Sequence, residues 1–166
     1  RGQFAARTVA KTYLAVVAGR PVSDFEVDAP VGRDPRRRER MAVAAGGRRA
    51  KSKFRVLAAG GGRSVLEVAI ETGRTHQIRV HLQHAGFPLL GDAAYGDARA
   101  NALALRELGA ARPLLHAWRL AFDHDLHEAT DGAVSLSKID FGPGLDAMGW
   151  AIGKVGGKLS DLENAT

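Results

Sequence analysis

Cysteine is absent from the 166 residues of this chain. The absence excludes a disulfide framework and a thiolate metal site, and with them the small secreted scaffolds and the zinc fingers. The sequence also lacks an apolar run of about 18 residues, which a membrane-spanning helix needs. No apolar signal core lies near Arg1. We therefore expect a protein that has no membrane partner and that fits a reducing compartment.

Acidic side chains are outnumbered, because 18 aspartates and glutamates face 24 lysines and arginines, which gives a formal net charge of +6. Such a field attracts polyanions, of which nucleic acid is the commonest. The apolar fraction of 45% suits a folded globular protein. A chain of this length can form one domain with a sizeable core.

The patterning predicts strands and helices in a mixed order. Alternation and β-branched residues indicate strands at residues 8–18, 53–57, 64–71 and 114–122. The glycines at 60–62 are expected to join the second and third strands as a hairpin. One helix is predicted to begin at a Thr75 cap and to stop at Gly86, and a second to cover residues 99–108.

A dense basic segment lies between Gly32 and Lys53 and is predicted to be an exposed loop or ribbon. Its first five arginines face only Asp34 and Glu39, so a phosphate-contacting surface is favoured over a merely solubilising charge run. The candidate RNA-binding arginines of this segment are Arg33, Arg36, Arg37, Arg38, Arg40, Arg48 and Arg49.

The most informative motif is ETGRTHQIRVHL at residues 71–82, where a glycine turn and a helix follow a strand. Such a junction can aim Arg79 into a cleft. Arginine suits that place because its guanidinium stays ionised and forms two parallel bonds with a carboxylate or a phosphate. A helix with ordinary solvated arginines explains this segment alone equally well.

The chain resembles the RluA-type pseudouridine synthases in several ordered segments. The upstream ones are KTYLAVVAGRP at residues 11–21, APVGRDPRRRERMAV at 29–43 and AKSKFRVL at 50–57. The downstream ones are GRTHQIRVHL at residues 73–82, GFPLLGDAAYG at 86–96 and LLHAWRLAF at 114–122. An accidental match in the same order over several segments is far less plausible than a match to any one of them.

The resemblance implies an α+β fold, with a mixed, largely antiparallel sheet flanked by helices. It makes residues 1–124 the C-terminal half of a pseudouridine synthase catalytic domain and residues 125–166 a divergent extension. The implied reaction turns uridine into pseudouridine in RNA, ribosomal RNA above all, without a cofactor or a metal. The implied location is intracellular, in the cytoplasm or in an organelle that contains ribosomes.

The resemblance also assigns the site residues. Tyr13 of the K-x-Y segment matches the active-site tyrosine, although a half-buried strand tyrosine is the plain alternative. Arg79 matches the arginine that pairs with the catalytic carboxylate. Ile78 and Leu82 are expected to line the substrate pocket or to pack behind it. Two further residues near the helix are candidate RNA contacts, namely Arg74 and His76.

The chain departs from the family at the nucleophile. The family's aspartate belongs to an R-L-D-x-x-T-S-G motif before the K-x-Y strand, and only RGQFAARTVA precedes Lys11 here. Asp146 is a weak replacement, because its neighbours lack the Thr-Ser pair. We therefore expect the missing half on a second chain or in residues outside this sequence. The alternative is a non-catalytic RNA-binding component of a ribosome or another ribonucleoprotein.

The remaining polar motifs carry weaker expectations. Asp92 and Tyr95 of GDAAYG are expected to fix a loop. The four histidines at positions 76, 81, 84 and 116 lack a carboxylate cluster beside them, so structural or RNA-facing roles are favoured over metal ligation.

Overall fold

The computed structural model describes residues 10–121, with side chains described from Thr12 to Ala117. Sequence predictions for residues 1–9 and 122–166, including the extension and Asp146, lie outside that part. The elements in chain order are β1 (Ala10–Ala18), β2 (Phe25–Asp28), β3 (Val31–Arg33), β4 (Met41–Val43), β5 (Lys51–Gly60), β6 (Arg63–Ile70), α1 (Gln77–His84), α2 (Ala98–Leu108) and β7 (Leu115–Ala121).

Five strands form one sheet in the order β2-β5-β6-β1-β7, and β3 pairs with β4 in a separate two-stranded sheet. Every strand pairing in the described part is antiparallel. The predicted α+β class with a largely antiparallel sheet and flanking helices is confirmed. The short strand β2 at one edge was not predicted, since four residues carry too little alternation to stand out.

Strand β1, which lies between β6 and β7, buries side chains on both faces of the sheet. Leu14 and Val16 pack into a core that includes residues of α2, whereas Ala15 and Val17 pack into a second core that includes residues of α1. All four are at most 1% exposed. The sheet is therefore covered on both faces along β1, and α1 lies on the same face as the odd-numbered residues of that strand.

The predicted hairpin joins β5 to β6 through Gly61 and Gly62. Both residues have positive φ, at 57° and 75°, which is the requirement of a two-residue type I′ turn and explains the glycines. The first strand is longer than predicted, at residues 51–60, because a bulge between Val56 and Ala58 interrupts its alternation.

Helix α1 begins differently from the sequence prediction. Thr75 does not cap it. The N-cap residue is His76, in the left-handed conformation with φ 56° and with no side-chain cap bond. The side chain of Gln77 closes the turn instead, because its Oε1 accepts the amide N–H of Arg74 at 3.0 Å. The helix ends where predicted, since the chain turns away at Gly86 with φ 81°.

The basic segment forms a ribbon, which we call the basic ribbon and define as β3, β4 and the loop between them, residues 31–43. The carboxylate of Asp34 shapes its tip by accepting the amide N–H groups of Arg36 at 2.8 Å and Arg37 at 3.3 Å. The residues at the tip, from Pro35 to Glu39, are exposed. The prediction of an exposed loop or ribbon is confirmed for this tip. It is wrong for the end of the predicted segment, because residues 51–53 belong to β5 of the five-stranded sheet and Ser52 there is buried.

Neither α1 nor α2, the helices of residues 10–121, has the length and apolar character needed to cross a bilayer.

Candidate functional site

Arg79 and Asp92 form an ion pair at the candidate site. The Nε and Nη2 atoms of Arg79 each donate to a carboxylate oxygen of Asp92 at 2.7 Å. The Asp92 side chain is 0% exposed and the Arg79 side chain 22% exposed. This two-bond geometry fixes the plane of the guanidinium as well as its position. Within residues 10–121, no atom accepts a hydrogen bond from Nη1 of Arg79.

The loop after Leu90 holds the Asp92 carboxylate in place. One carboxylate oxygen also accepts the amide N–H groups of Ala94 at 2.9 Å and Tyr95 at 3.0 Å. Burial opposes ionisation, but the hydrogen bonds from Arg79 and from these two amides outweigh it and lower the pKa of Asp92. In turn, the hydrogen bond to Asp92 raises the pKa of Arg79. The prediction that Asp92 and Tyr95 fix a loop is confirmed.

Tyr95 contacts Arg79 with its ring and contacts Met41 and His76 with its hydroxyl. Its ring lies under the Arg79 guanidinium, with the guanidinium carbon 4.6 Å from the ring centroid. Its hydroxyl accepts the amide N–H of Met41 and lies 2.9 Å from Nδ1 of His76. Burial, and then the Arg79 charge, lower the pKa of His76. The uncharged form of His76 is therefore favoured beside the arginine.

A buried polar network anchors α1 to the sheet. His81 is 0% exposed; its Nε2 is 3.0 Å from the carbonyl oxygen of Ala29 and its Nδ1 is 3.0 Å from Oγ of Ser52. A carbonyl can only accept, so Nε2 carries the proton of the neutral ring and the Ser52 hydroxyl donates to Nδ1. That hydroxyl also accepts a hydrogen bond from Gln77. Every member is satisfied, which gives α1 and hence Arg79 a fixed position.

We expect stability to fall as the pH drops below about 6.5, the pKa of a histidine in an unfolded chain. Burial lowers the pKa of His81 in the folded protein. As the pH falls, the unfolded state therefore binds a proton at a higher pH than the folded state does, and the free energy of unfolding decreases. The stabilisation is complete above that pH and is lost progressively toward the lower folded-state pKa. Urea unfolding of the wild type at pH 7.5 and pH 5.5 measures the loss.

The variant His81→Asn should reduce this pH dependence, whereas His84→Asn, on the same helix but exposed, should retain it. An equal pH dependence in His81→Asn and the wild type would show that another group is responsible.

The other predicted pocket residues lie on the α1 side of the sheet. Tyr13 is partly buried and packs against the same core cluster that contains Ile78 and Leu82. Ile78 is 6% exposed and Leu82 0% exposed. Of the two expectations for this pair, packing behind the pocket therefore agrees better with their burial than lining it. Tyr13 lies beside a register shift between β1 and β7.

The candidate RNA-binding arginines fall into two groups, and His76, the remaining candidate, contacts Tyr95. Exposed arginines occupy the basic ribbon and the turn that follows it, namely Arg33, Arg36, Arg37, Arg38, Arg48 and Arg49. Arg40 is partly buried, and its Nη1 donates to the carbonyl of Ala94 at 2.6 Å. Arg74 donates from Nε to the carbonyl of Arg49 at 3.0 Å. These two arginines therefore hold the basic surface to the rest of the protein.

Within residues 10–121, no group of three histidine or acidic side chains could hold a metal ion. Two open grooves of about 430 Å³ and 570 Å³ are lined by other residues than those predicted for the site, around Phe25 and Leu103 respectively. Neither groove is lined by Arg79, Asp92 or Tyr95.

Sequence reasoning missed the direct partner of Arg79. Asp92 lies 13 positions further along the chain, and its pairing depends on how the loop folds back over α1. The sequence could have suggested this role, because Asp92 follows Gly91 and precedes Gly96, and aspartate and glycine close together are typical of a tight turn. The role of Gln77 was missed as well. A glutamine next to a predicted core residue, here Ile78, is a candidate for a buried hydrogen-bond network, because buried polar groups need partners.

The sequence profile of the RNA pseudouridylate synthase family matches residues 1–84. The chain belongs to the RNA pseudouridylate synthase family.

Its relatives are similar over about three quarters of the chain. An uncharacterized RNA pseudouridine synthase of Chloroflexus aurantiacus is 49% identical over 74% of this chain and 37% of its own length. The ribosomal large subunit pseudouridine synthase D of Nitrosomonas europaea is 45% identical over 74% of this chain and 36% of its own. The chain therefore spans little more than a third of these relatives.

A solved structure supports the same assignment. The human RNA pseudouridylate synthase domain containing 1 superposes with a TM-score of 0.62 at 28% identity, and the match covers 74% of this chain and 53% of the human one. The fold seen in residues 10–121 is thus the fold of part of a pseudouridylate synthase domain.

Proposed function

We propose that this chain provides an RNA-contacting surface and the active-site arginine, Arg79, of an enzyme that isomerises uridine to pseudouridine in RNA. The observation that carries the proposal is the Arg79 guanidinium, which Asp92 holds by two bonds while Nη1 has no acceptor in the described part. A second carboxylate can accept a hydrogen bond from Nη1. The family resemblance assigns this second carboxylate to the aspartate of the R-L-D motif.

Arg79 and Tyr13 are proposed to have different roles in the reaction. The isomerisation breaks the bond between N1 of uracil and C1′ of ribose, turns the base and joins C5 to C1′. N1 gains a proton and C5 loses one, so the atoms balance without a cofactor. The base must leave the helical stack to be turned. Arg79 would keep the aspartate ionised beside it, and Tyr13 would face the base.

The nucleophile is proposed to come from residues outside this sequence, on the same polypeptide or on a second chain. The motif R-L-D-x-x-T-S-G is not present among the 166 residues. The RNA is proposed to be ribosomal, because the Nitrosomonas europaea relative is named for the large ribosomal subunit. The place of action is then the compartment that contains its ribosomes.

The chain alone should release no tritium from RNA that carries 5-tritiated uridine, since neither Arg79 nor Tyr13 is a nucleophile for this step. A polypeptide with the R-L-D motif, added to complete the domain, should restore release. In the completed domain, Arg79→Lys should lower the rate about tenfold or more, because lysine keeps the charge but loses the planar pair of donors.

Arg99→Lys is the matched control, since Arg99 is an exposed arginine on α2. It should leave the rate unchanged. Turnover by the chain alone would contradict the proposal and make Asp146 the first residue to replace. RNA binding without turnover in the completed domain would favour the non-catalytic alternative.

RNA binding should depend on the exposed arginines of the basic ribbon. Replacement of Arg36, Arg37 and Arg38 by alanine should weaken binding to many RNA sequences alike. The slope of log affinity against log salt concentration should become shallower by about 0.7 to 0.9 per lost phosphate contact. Fluorescence anisotropy with unrelated RNA oligonucleotides across a salt series measures both effects.

The control removes the same charge elsewhere, through alanine at three exposed arginines outside the ribbon: Arg20, Arg99 and Arg112. If both triple variants change the slope equally, net charge and not the ribbon determines binding.

A further inference from the structure

The hydroxyl of Tyr95 connects two parts of the protein that are distant in sequence. It accepts the amide N–H of Met41 in β4 at 2.9 Å, across 54 positions. It also lies 2.9 Å from Nδ1 of His76 at the start of α1. The basic ribbon and the beginning of the Arg79 helix therefore share one hydrogen-bonding oxygen.

The ring of Tyr95 adds a second connection. It is 3% exposed and packs in a small core with Val31 of β3 and Val80 of α1. The guanidinium of Arg79 lies above the same ring, at 4.6 Å from its centroid. A change in the tilt of this ring would move the base of the ribbon and the platform under Arg79 together, because both pack against it.

A further hydrogen bond joins the same loop to the ribbon. Nη1 of Arg40, which precedes β4, donates to the carbonyl of Ala94 beside Tyr95. The amides of Ala94 and Tyr95 in turn bind the Asp92 carboxylate that orients Arg79. The contacts thus form a continuous path from Arg40 of the basic ribbon through the Ala94–Tyr95 peptide to the ion pair.

We propose that Tyr95 is a positioning residue that ties the basic ribbon to the Arg79–Asp92 pair, so that RNA bound on the ribbon steadies the Arg79 guanidinium. The identity of the ligand as RNA rests on the proposed function, whereas the link through Tyr95 rests on the contacts alone. The consequence is that Arg79 is held most firmly when the ribbon is occupied.

The first experiment tests the link in the free chain by NMR. Tyr95→Phe keeps the ring under Arg79 and removes only the hydroxyl. The amide hydrogen of Met41 should then exchange about tenfold faster, as expected for the loss of one hydrogen bond in a folded protein. The Nδ1 signal of His76 should shift as well. Tyr13→Phe, at the only other tyrosine in the sequence, should change neither signal.

The second experiment adds a uridine-containing RNA oligonucleotide. In the wild type, RNA should slow hydrogen exchange at Nε of Arg79. In Tyr95→Phe, the same RNA should still bind through the ribbon but should slow exchange at Arg79 by a smaller factor, because the variant loses the bonds of the hydroxyl to Met41 and His76. Circular dichroism of both proteins verifies that the variant is folded.

An unchanged Met41 exchange rate in the folded Tyr95→Phe variant would overturn the link. An equal response of Arg79 to RNA in both proteins would also overturn the proposal, because direct contact with RNA would then explain it. If neither the wild type nor Tyr95→Phe binds the oligonucleotide, the proposed function is wrong, and so is the proposed coupling to RNA. The Met41 measurement, which needs no RNA, still decides whether Tyr95 joins the two parts.

Discussion

Gly91→Ala is expected to destabilise the protein by roughly 4 kcal/mol or more, from a positive-φ penalty together with overpacking against backbone. The residue has φ 75° and precedes the aspartate that orients Arg79. A Cβ there would lie 2.1 Å from the carbonyl oxygen of Arg112 and 2.7 Å from its carbonyl carbon. Backbone atoms cannot rotate away as a flexible side chain can, so the loop must shift.

Gly62→Ala provides a control with the same backbone conformation. Gly62 also has φ 75°, but a Cβ at that position would meet nothing within 4 Å. Its replacement should cost only about 1 kcal/mol, the penalty for placing a side chain in the left-handed region. Urea unfolding of both variants separates close approach from conformation. Equal losses would mean that the contact with Arg112 does not constrain the loop.

Asp92→Asn is expected to destabilise the protein by about 3 kcal/mol, because breaking a buried ion pair leaves its partner uncompensated. Asparagine has nearly the shape of aspartate but no charge, and its amide group cannot accept from both Nε and Nη2 of Arg79. The amides of Ala94 and Tyr95 lose part of their acceptor as well. Thermal and urea unfolding at pH 7 measure the change.

The same substitution at an exposed position is the control. Asp28 lies on the edge strand β2 and is exposed, near Lys51. Asp28→Asn should change stability by no more than about 0.5 kcal/mol. A loss at Asp92 as small as the loss at Asp28 would show that the Arg79 pair contributes little, and that its geometry is maintained by the loop alone.

The sequence predicted those elements whose signals are local. Strand β1 and the β5–β6 hairpin follow from β-branched residues and from adjacent glycines that permit positive φ. The face of α1 that carries Ile78 and Leu82 follows from helical spacing, and both residues are buried. The exposed basic ribbon follows from charge density. Each of these depends on residues within a few positions of one another.

What escaped prediction depends on contacts between distant residues. Thr75 is a good helix cap by residue type, but Gln77 satisfies the turn because its side chain is held by Ser52 and by the carbonyl of Lys51 in the neighbouring strand. The partnership of Arg79 with Asp92 depends likewise on the loop that returns over α1. Local propensity cannot reveal a competing partner supplied by the tertiary fold.

The sequence predicted several residues of the site but not which residues they contact. Arg79 was expected to pair with a carboxylate, and it does pair with one, but the observed partner is Asp92 of the same chain. This pair leaves Nη1 for a second carboxylate, so the expected role of Arg79 stays a prediction. Arg40 was grouped with the RNA-binding arginines, although its guanidinium also anchors the ribbon to Ala94.

The most direct test of the account is a structure of the completed domain, with the R-L-D segment present, bound to its RNA. The account predicts an aspartate carboxylate from that segment within about 3 Å of the Arg79 guanidinium, in addition to Asp92, and a flipped uridine facing Tyr13. A structure in which no second carboxylate approaches Arg79 and no uridine faces Tyr13 would contradict the enzymatic role, while membership of the family would stand.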